Sequence, residues 1–242
     1  MAVAFDAGNS AYSSGFPGPS SITTSFTVGA GANFIMGQVA WAGPSGRTVS
    51  GITYAGAALT QVTSAALIVS ASLGEQGIDQ WYRVSPSTGA NNMVSTLTST
   101  TYNLIHGFES ASGVDTSTPL GTASTGTGTS TSASTGNLSG TADDLFMGLV
   151  CVDRTSVASD PASDNTQAWE ALDAFGIDIA GNGSYRAGTG SAALTWTLSL
   201  SALWNASGVP VKASGGGGGG AVGPLIGGML TKSHLTGGRL AL

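Results

Sequence analysis

Residues 48–62 read TVSGITYAGAALTQV, and their pattern decides the predicted fold. Ile52 and Tyr54 alternate with small or polar residues, a break follows at residues 55–56, and residues 59–62 resume the apolar pattern. Alternation on both sides of a short Gly-containing turn predicts a β-hairpin. A lone hairpin is only marginally stable in water, so its apolar face needs a second sheet to cover it. The stretch therefore predicts an all-β fold, an antiparallel β-sandwich of jelly-roll or immunoglobulin-like type.

The composition of the 242-residue chain also favours strands over helices. Charged residues make up only 8% of the chain, whereas roughly a quarter is usual in soluble domains. The helix formers Lys, Glu and Arg are nearly absent, so Ser, Thr, Asn and Gly must supply the polar surface. A chain of this length holds one large β domain or two small ones, and either can bury a substantial core.

The charge of the chain is negative and unevenly distributed. A net charge of −6 argues against general nucleic-acid binding, which needs clustered Lys and Arg for phosphate contacts. Every acidic residue lies at or before Asp178, and four cationic residues follow it: Arg186, Lys212, Lys232 and Arg239. This asymmetry predicts an acidic body and a basic C-terminal part that contacts a different surface.

The single cysteine, the N-terminus and the apolar runs together predict a chain without disulfides, signal peptide or membrane span. Cys151 excludes an internal disulfide, and its place in the apolar run 145–152 predicts a buried thiol rather than a nucleophile. The N-terminus has neither a basic segment nor an apolar stretch, so we expect no signal peptide and synthesis in the host cytoplasm. No run of eighteen apolar residues exists, so no membrane span is predicted.

Further apolar runs predict the strands of the sandwich. Residues 34–41, FIMGQVAW, are predicted to form a central strand, and residues 145–152, LFMGLVCV, are expected in the middle of the sandwich. Residues 193–203 alternate most regularly, with one predicted face formed by Leu194, Trp196, Leu198 and Leu200. Other strands are predicted at 3–5, 22–28, 65–73, 80–84, 92–97, 102–108 and 204–211.

Three local features qualify this assignment. Residues 74–77, GEQG, are predicted to form a loop. The strands at 92–97 and 102–108 are predicted to pair with each other. Residues 168–175 form the one plausible short helix of the chain.

Residues 121–139 consist almost entirely of Ser, Thr, Gly and Ala. The simplest interpretation is a solvated loop with an exposed strand. An alternative is an edge that binds sugar or pairs with another subunit, because flat hydroxyl-rich strands pair easily with a second chain. From this surface we expect self-association, with a homotrimer as the expected state.

Residues 215–220 are six consecutive glycines, which predict a flexible tether. The predicted organisation is therefore a β-sandwich domain at 1–213, a polyglycine linker at 214–220 and a C-terminal docking tail at 221–242.

The tail reads AVGPLIGGMLTKSHLTGGRLAL, in which a Gly-Gly pair with flanking Leu recurs ten residues on. So short a segment cannot bury its own aliphatic side chains, and two Gly-Gly pairs make it a poor membrane helix. It is therefore predicted to anchor the chain by docking into a partner protein. The predicted partner-contacting residues are Leu225, Ile226, Met229, Leu230, Leu235, Arg239, Leu240 and Leu242.

The sequence offers little material for catalysis or metal binding. His106 and His234 are the two histidines, and a lone strand histidine such as His106 is usually structural. Asp143 and Asp144 are adjacent at a predicted strand start, where neighbouring side chains point to opposite faces and cannot converge. The acidic residues within 153–178 match no calcium-loop spacing. We therefore predict no enzymatic activity, no cofactor and no metal.

The five tryptophans all fall in or beside strand patterns, so most of them are expected in the core. An exposed Trp or Tyr in a pocket would instead favour glycan binding.

Segments spread over about residues 20–212 resemble a β-sandwich domain found in bacteriophage virion proteins and in some bacterial surface proteins. The segments that carry the resemblance are 49–59 (VSGITYAGAAL), 80–89 (QWYRVSPSTG), 113–121 (GVDTSTPLG), 142–152 (ADDLFMGLVCV) and 204–209 (WNASGV).

The polyglycine stretch with its PLIGG-type sequence is also similar to the ends of phage structural proteins. The resemblance favours a strand rather than a helix at residues 168–175, and it supplies no catalytic residues.

The expected function is a non-enzymatic structural protein of a phage virion. The first expectation is a capsid decoration or cement protein on the virion surface, attached to other virion proteins through its tail. The alternative is a tail or fibre component that binds host-surface glycans.

Overall fold

The computed structural model describes residues 1–15, 18–62, 66–71, 74–153, 159–161, 165–172 and 179–215. Among these residues it contains eighteen β-strands and no helix, which confirms the predicted all-β antiparallel fold. The predicted linker beyond Gly215 and the docking tail, with all eight predicted partner-contacting residues, lie outside the described residues.

The strands are short to medium in length, apart from a long final one. In chain order they are β1 Ala4–Ser14, β2 Ser21–Val28, β3 Phe34–Gly43, β4 Val49–Tyr54, β5 Ala57–Ala58, β6 Thr60–Gln61, β7 Leu67–Ala71, β8 Gly74–Val84, β9 Gly89–Leu97, β10 Asn103–Ser112, β11 Ser124–Ser134, β12 Leu138–Gly140, β13 Leu145–Asp153, β14 Ser159–Pro161, β15 Thr166–Leu172, β16 Ile179–Ala187, β17 Gly190–Ala192 and β18 Thr195–Val211.

The strands form three larger sheets and one small pair. The central sheet has the order β1-β10-β3-β8-β6, with β7 also paired to β8. The small sheet has the order β2-β9-β4-β5. The C-terminal sheet has the order β11-β18-β13-β16-β15, with β14 also paired to β18, and β12 pairs with β17.

The order of the chain divides cleanly between the sheets. Strands β1 to β10 form the central and small sheets, whereas β11 to β18 form the C-terminal sheet and the β12–β17 pair. Two isolated bridges involve the segment between β10 and β11. Leu120 pairs with Val211 at the end of β18, and Val114 pairs with Ala213 just beyond it.

The central sheet lies between the other two sheets. Towards the small sheet, Ile35, Val39 and Trp41 pack in one cluster with Ile52 and Met93. Because side chains alternate along a strand, the intervening residues of β3 point the other way.

On that opposite face, the central sheet packs against the C-terminal sheet. Phe34 and Met36 lie in a cluster with Met147, and Ala40 lies in a second cluster with Leu149. Strand β3 is therefore buried along its whole length, which confirms the prediction of a central strand for its apolar run.

Strand β13 is buried on both faces for a similar reason. While Met147 and Leu149 face the central sheet, Phe146 and Val150 pack in a further cluster with Trp196 on the outer face of the C-terminal sheet. Its near-continuous apolar sequence is confirmed as an interior strand.

The hairpin predicted within residues 48–62 is present. Thr53 pairs with Ala58 and Tyr54 with Ala57, and the turn residues Ala55 and Gly56 have φ of 51° and 76°. Positive φ at both central residues is the geometry of a type I′ turn, the turn that matches strand twist.

The chain then leaves the small sheet after Ala58 and joins the central sheet as β6, where Thr60 pairs with Tyr82 and Gln61 with Trp81. The stretch that predicted the sandwich therefore connects two of its layers.

The predicted loop at residues 74–77 is wrong, because these residues begin strand β8. Gly77 lies against the Trp41 indole, where a Cβ would come within 2.3 Å of a ring atom, and the Gln76 side chain is buried. Packing against Trp41 requires a glycine at position 77, and a polar side chain is buried at position 76. The strand therefore begins with residues that are typical of loops.

The predicted pairing of 92–97 with 102–108 is also wrong. Strand β9 pairs with β2 and β4 in the small sheet, whereas β10 pairs with β1 and β3 in the central sheet. The chain crosses between layers at Thr101, whose hydroxyl donates to the Ala42 carbonyl oxygen at 2.5 Å. Alternation identifies a buried face but not the neighbouring strand.

The short helix suggested at 168–175 is wrong over its described part, because residues 166–172 form β15. Pairing with β16 and burial of Trp169 override the helical propensity of the sequence.

The predicted face that included Leu200 is also incorrect. The β11–β18 ladder shifts register between Ser130, opposite Ala202, and Ser132, opposite Thr197. Leu200 lies in this irregular segment and is 54% exposed, whereas Trp196 and Leu198 are buried as predicted.

Candidate functional site

His106 is a buried structural residue of the central sheet. Its Nε2 lies 2.8 Å from the Thr24 hydroxyl and its Nδ1 lies 3.2 Å from the Ser95 hydroxyl. Both partners belong to the small sheet, so the imidazole links the two layers. Burial lowers the pKa of His106 to about 3, which keeps the ring neutral at physiological pH.

The Asp143–Asp144 pair does not form a site. Both residues precede β13 in a turn rather than beginning the strand, and Asp144 is buried rather than solvated. The Asp144 carboxylate accepts hydrogen bonds from the backbone N–H groups of Thr141 at 2.6 Å and Ala213 at 2.9 Å. Its function is therefore to tie this turn to the end of the C-terminal sheet.

Glu109 is fully buried between the central and C-terminal sheets. Burial raises the pKa of its carboxyl well above the usual value, while the neighbouring Gln38 and Trp169 side chains oppose the shift. Burial therefore favours the protonated form of the carboxyl, which can donate one hydrogen bond.

Asp79 lies on the other face of the central sheet. Its carboxylate accepts from Gln61 Nε2 at 2.7 Å and from the backbone N–H of Gln80 at 2.9 Å. Burial raises the pKa of Asp79 to about 6, and the hydrogen bonds from Gln61, Trp81 and Gln80 limit the rise. Asp79 is 4% exposed, and together with Gln61 it lines a small pocket of about 60 Å³.

Polar side chains connect the central and C-terminal sheets directly. Gln76 Nε2 donates to Asn205 Oδ1 at 2.6 Å and to the Cys151 carbonyl oxygen at 2.9 Å. The Ser207 hydroxyl donates to Gln80 Oε1 at 2.9 Å. These contacts fix how the two sheets are positioned relative to each other.

Trp169 occupies a space that glycines leave open between the same two sheets. A Cβ on Gly107 of the central sheet would come within 1.9 Å of its indole, and one on Gly183 of β16 within 2.0 Å. The indole Nε1 donates to Gln38 Oε1 at 2.7 Å.

The tryptophans are core residues, as predicted. Four of them are buried and Trp81 packs partly buried against the cluster beneath the small sheet. No tryptophan is fully exposed. An aromatic contact with a ligand at the surface of the described residues would therefore need a Tyr or Phe side chain.

One pocket on the body combines an aromatic ring with uncharged polar groups. It lies at one side of the molecule, between β6 and β8 of the central sheet and the segment that enters β11, and its volume is about 390 Å³. We call it the lateral pocket. Its lining residues are Thr60, Gln61, Val62, Tyr82, Leu120, Gly121, Thr122 and Ala123.

The lateral pocket has an apolar floor and a polar rim. Tyr82, Leu120 and Ala123 are half-buried and pack on the cluster that contains Val62. The Tyr82 ring is nearly parallel to that of Phe34, with centroids 6.1 Å apart.

Three exposed residues, Thr60, Gln61 and Thr122, form the rim of the lateral pocket. The Gln61 amide donates to Asp79 on the opposite face of the central sheet, so it points away from Tyr82. Sequence analysis did not find this pocket, because its residues come from two distant segments and none has an unusual local pattern.

Strand β11 is the second exposed feature of the body. It is the edge of the C-terminal sheet, pairs with β18 on one side, and has no partner strand on its other side among the described residues. Its eleven residues are Ser, Thr, Gly and Ala, without a charge, and most are exposed or half-buried. The predicted exposed strand within 121–139 is confirmed.

Neither a metal-binding cluster nor a membrane-spanning helix occurs in the part of the chain that the structure describes. No group of three or more His, Cys, Asp or Glu side chains is arranged to hold an ion there. No helix in that part has the length and apolarity to cross a membrane.

Comparison with protein-family models, with curated proteins and with solved structures finds no match to this chain. The resemblance to phage virion β-sandwich domains therefore rests on the sequence segments alone.

Proposed function

We propose that this chain is a non-enzymatic structural protein of a bacteriophage virion. In this proposal it is a capsid decoration or cement protein on the virion surface, associates with further copies of itself as a homotrimer, and is attached to other virion proteins through residues 221–242.

The observation that carries the proposal is the free edge of β11. An edge strand presents unpaired backbone N–H and C=O groups, and proteins usually protect such edges with charges, proline or a covering segment. The sequence of β11 contains neither a charged residue nor a proline. Such an edge favours pairing with another protein chain.

The placement of the ionisable groups supports a non-catalytic role. Asp79, His106 and Glu109 have strongly shifted pKa values, which often mark catalytic residues. His106 and Glu109 are buried between layers, and Asp79 is 4% exposed beside a pocket of only about 60 Å³. Their shifts are therefore explained by packing.

The anchoring part of the proposal rests on the sequence. Residues 221–242 carry large aliphatic side chains, each worth roughly 1.5–3 kcal/mol when fully buried. Lys232 and Arg239 add charge that can pair with an acidic neighbour.

The test of attachment uses purified particles that lack the native protein. The full chain and a variant truncated after Ser214 are each mixed with the particles, and bound protein is measured after sedimentation. We expect the full chain to bind and the truncated variant to remain in solution. Equal binding of both would exclude the tail as the anchor.

The test of self-association targets the edge strand. Thr129→Lys places a charge on the exposed edge, and Thr27→Lys is a matched control on an exposed position of β2. Sedimentation equilibrium should show a trimer for the wild type and the control, and a monomer for Thr129→Lys. A monomeric wild type at micromolar concentration would contradict the assembly proposal.

A second function, a tail or fibre component that binds host-surface glycans, is favoured by the lateral pocket. Tyr82 there provides an aromatic surface beside uncharged polar groups. Locating the protein by immunogold labelling of intact particles distinguishes the two, because decoration proteins lie over the capsid and fibre components lie on the tail.

A further inference from the structure

We infer that the lateral pocket binds a neutral pyranose sugar. This inference rests on the second proposed function, and it names both the chemical class of the ligand and the residues that contact it.

The charge of the pocket selects a neutral ligand. None of its lining residues is ionisable in the physiological range. Removing an ionic ligand from water without an opposite charge is costly, so phosphates, carboxylates and amines are disfavoured. The ligand that fits best carries polarity without net charge.

The two halves of the pocket match the two surfaces of a pyranose ring. Tyr82 and Leu120 offer apolar surface to the C–H face of the ring. On the opposite side, the hydroxyl groups of Thr60 and Thr122 can both donate to and accept from sugar hydroxyls.

The aromatic floor is held in place before any ligand arrives. The Tyr82 ring packs beside that of Phe34, with centroids 6.1 Å apart. Groups ordered in advance lose little conformational freedom on binding, which favours affinity. A volume of about 390 Å³ lies within the range of small-ligand pockets and accommodates one or two sugar rings.

The experiment is an amide chemical-shift titration of the full chain with a panel of neutral methyl glycosides of glucose, galactose, mannose and N-acetylglucosamine. Sialic acid methyl glycoside and glucose 6-phosphate serve as charged comparators. We expect at least one neutral glycoside to shift the amide signals of residues 60–62, 82 and 120–123, with a dissociation constant of about 1 mM, as suits a shallow pocket.

Two variants test the assignment of the contacts. Tyr82→Ala removes the aromatic floor, and Thr122→Lys fills the rim with a charged side chain at an exposed position that does not endanger folding. Each should weaken binding by about tenfold or more. Tyr12→Ala is the matched control, because Tyr12 is an exposed tyrosine on β1 at the opposite edge of the central sheet.

Three results would overturn the inference. These are silence of the pocket signals with every neutral glycoside, stronger binding of the charged comparators, and equal binding by Thr122→Lys and wild type. Displacement of the glycoside by a synthetic peptide of residues 221–242 would instead assign the pocket to the tail. Because these measurements use the isolated protein, they fail or succeed independently of where the protein lies on a particle.

Discussion

The two faces of the central sheet are built on different principles. Towards the small sheet, Phe26, Trp41, Tyr54 and Phe108 belong to one continuous apolar cluster. Towards the C-terminal sheet, the apolar contacts form two clusters, and the Gln38–Gln80 rung lies between them. The first face is held mainly by burial of apolar surface, which has no direction, and has one hydrogen-bonded link through His106. The second face adds a row of hydrogen bonds, which are directional.

This difference shows how a large all-β chain can specify its layers. Apolar surface alone tolerates sliding of one sheet over another, since many offsets bury similar areas. The contacts of Gln76 with Asn205 and of Gln80 with Ser207 are satisfied at one offset only. The polar row therefore gives the interface its register, while the apolar clusters give it most of its stability.

The largest expected effect comes from removing Trp169. Trp169→Ala leaves a cavity between the sheets and deprives Gln38 Oε1 of its donor, so we expect a loss of about 3–5 kcal/mol in the free energy of unfolding. Trp169→Phe keeps most of the apolar area and should cost less. Chemical denaturation measures both, and equal losses for the two variants would show that the cavity contributes nothing and that loss of the indole N–H accounts for the whole effect.

Acidification should weaken the other face through His106. Its pKa is about 6.5 when unfolded and about 3 when folded, so the unfolded state binds the extra proton first. Stability from this group is complete above pH 6.5 and falls by about 1.4 kcal/mol per pH unit towards pH 3.

The measurement for His106 is the unfolding free energy of the wild type minus that of His106→Gln at several pH values. Subtraction removes the contributions of the carboxyl groups. A difference that is constant from pH 7 to pH 4 would contradict the buried neutral imidazole.

Gly107→Ala should lower the free energy of unfolding by about 1–3 kcal/mol, because the new methyl group collides with the Trp169 indole. The matched control is Gly51→Ala on β4, where an added Cβ meets no atom within 4 Å. The control should be neutral within about 0.5 kcal/mol. Thermal unfolding of the two variants side by side measures the effect, and similar melting temperatures would exclude the close contact between Gly107 and the indole.

The smallest effect is a gain in stability from Asp79→Asn. The pKa of Asp79 rises from 3.8 to about 6 on folding, so its ionised form destabilises the protein above pH 6 and this penalty disappears as the pH falls to 3.8. Asn retains an acceptor for Gln61 without the buried charge. We expect a gain of about 1–2 kcal/mol at pH 8 and none at pH 4. Urea titrations at the two pH values test this, and a loss of stability at pH 8 would show that the charge is stabilising.

Local pattern predicted the strands that are buried on both faces. The apolar runs of β3 and β13 identified interior strands, and the break at Ala55 and Gly56 predicted the hairpin. The pattern did not predict which strands pair, because β9 and β10 adjoin in sequence but lie in different sheets. Alternation specifies one face of a strand, whereas pairing depends on residues far away in the chain.

The glycine-lined space around Trp169 and the lateral pocket could not be predicted from the sequence, for the same reason. The need for glycine at positions 107 and 183 follows only from the position of the Trp169 indole, which leaves no room for a Cβ. Thr60 and Thr122 are ordinary threonines until folding brings β6 beside the entry to β11. The buried position of Cys151 and the structural role of His106, by contrast, were predicted from the sequence pattern around them.

The division of the chain between its sheets has a consequence for synthesis on the ribosome. Strands β1 to β10 find all their partners among themselves, so the first half can complete its pairing before β11 is made. At about 5–20 residues per second, roughly ten seconds pass before the second half has emerged. During this interval the nascent half exposes the face that later receives the C-terminal sheet. The glutamines and glycines make that face less hydrophobic than the face that packs on the small sheet. This lower hydrophobicity protects the growing chain from aggregation.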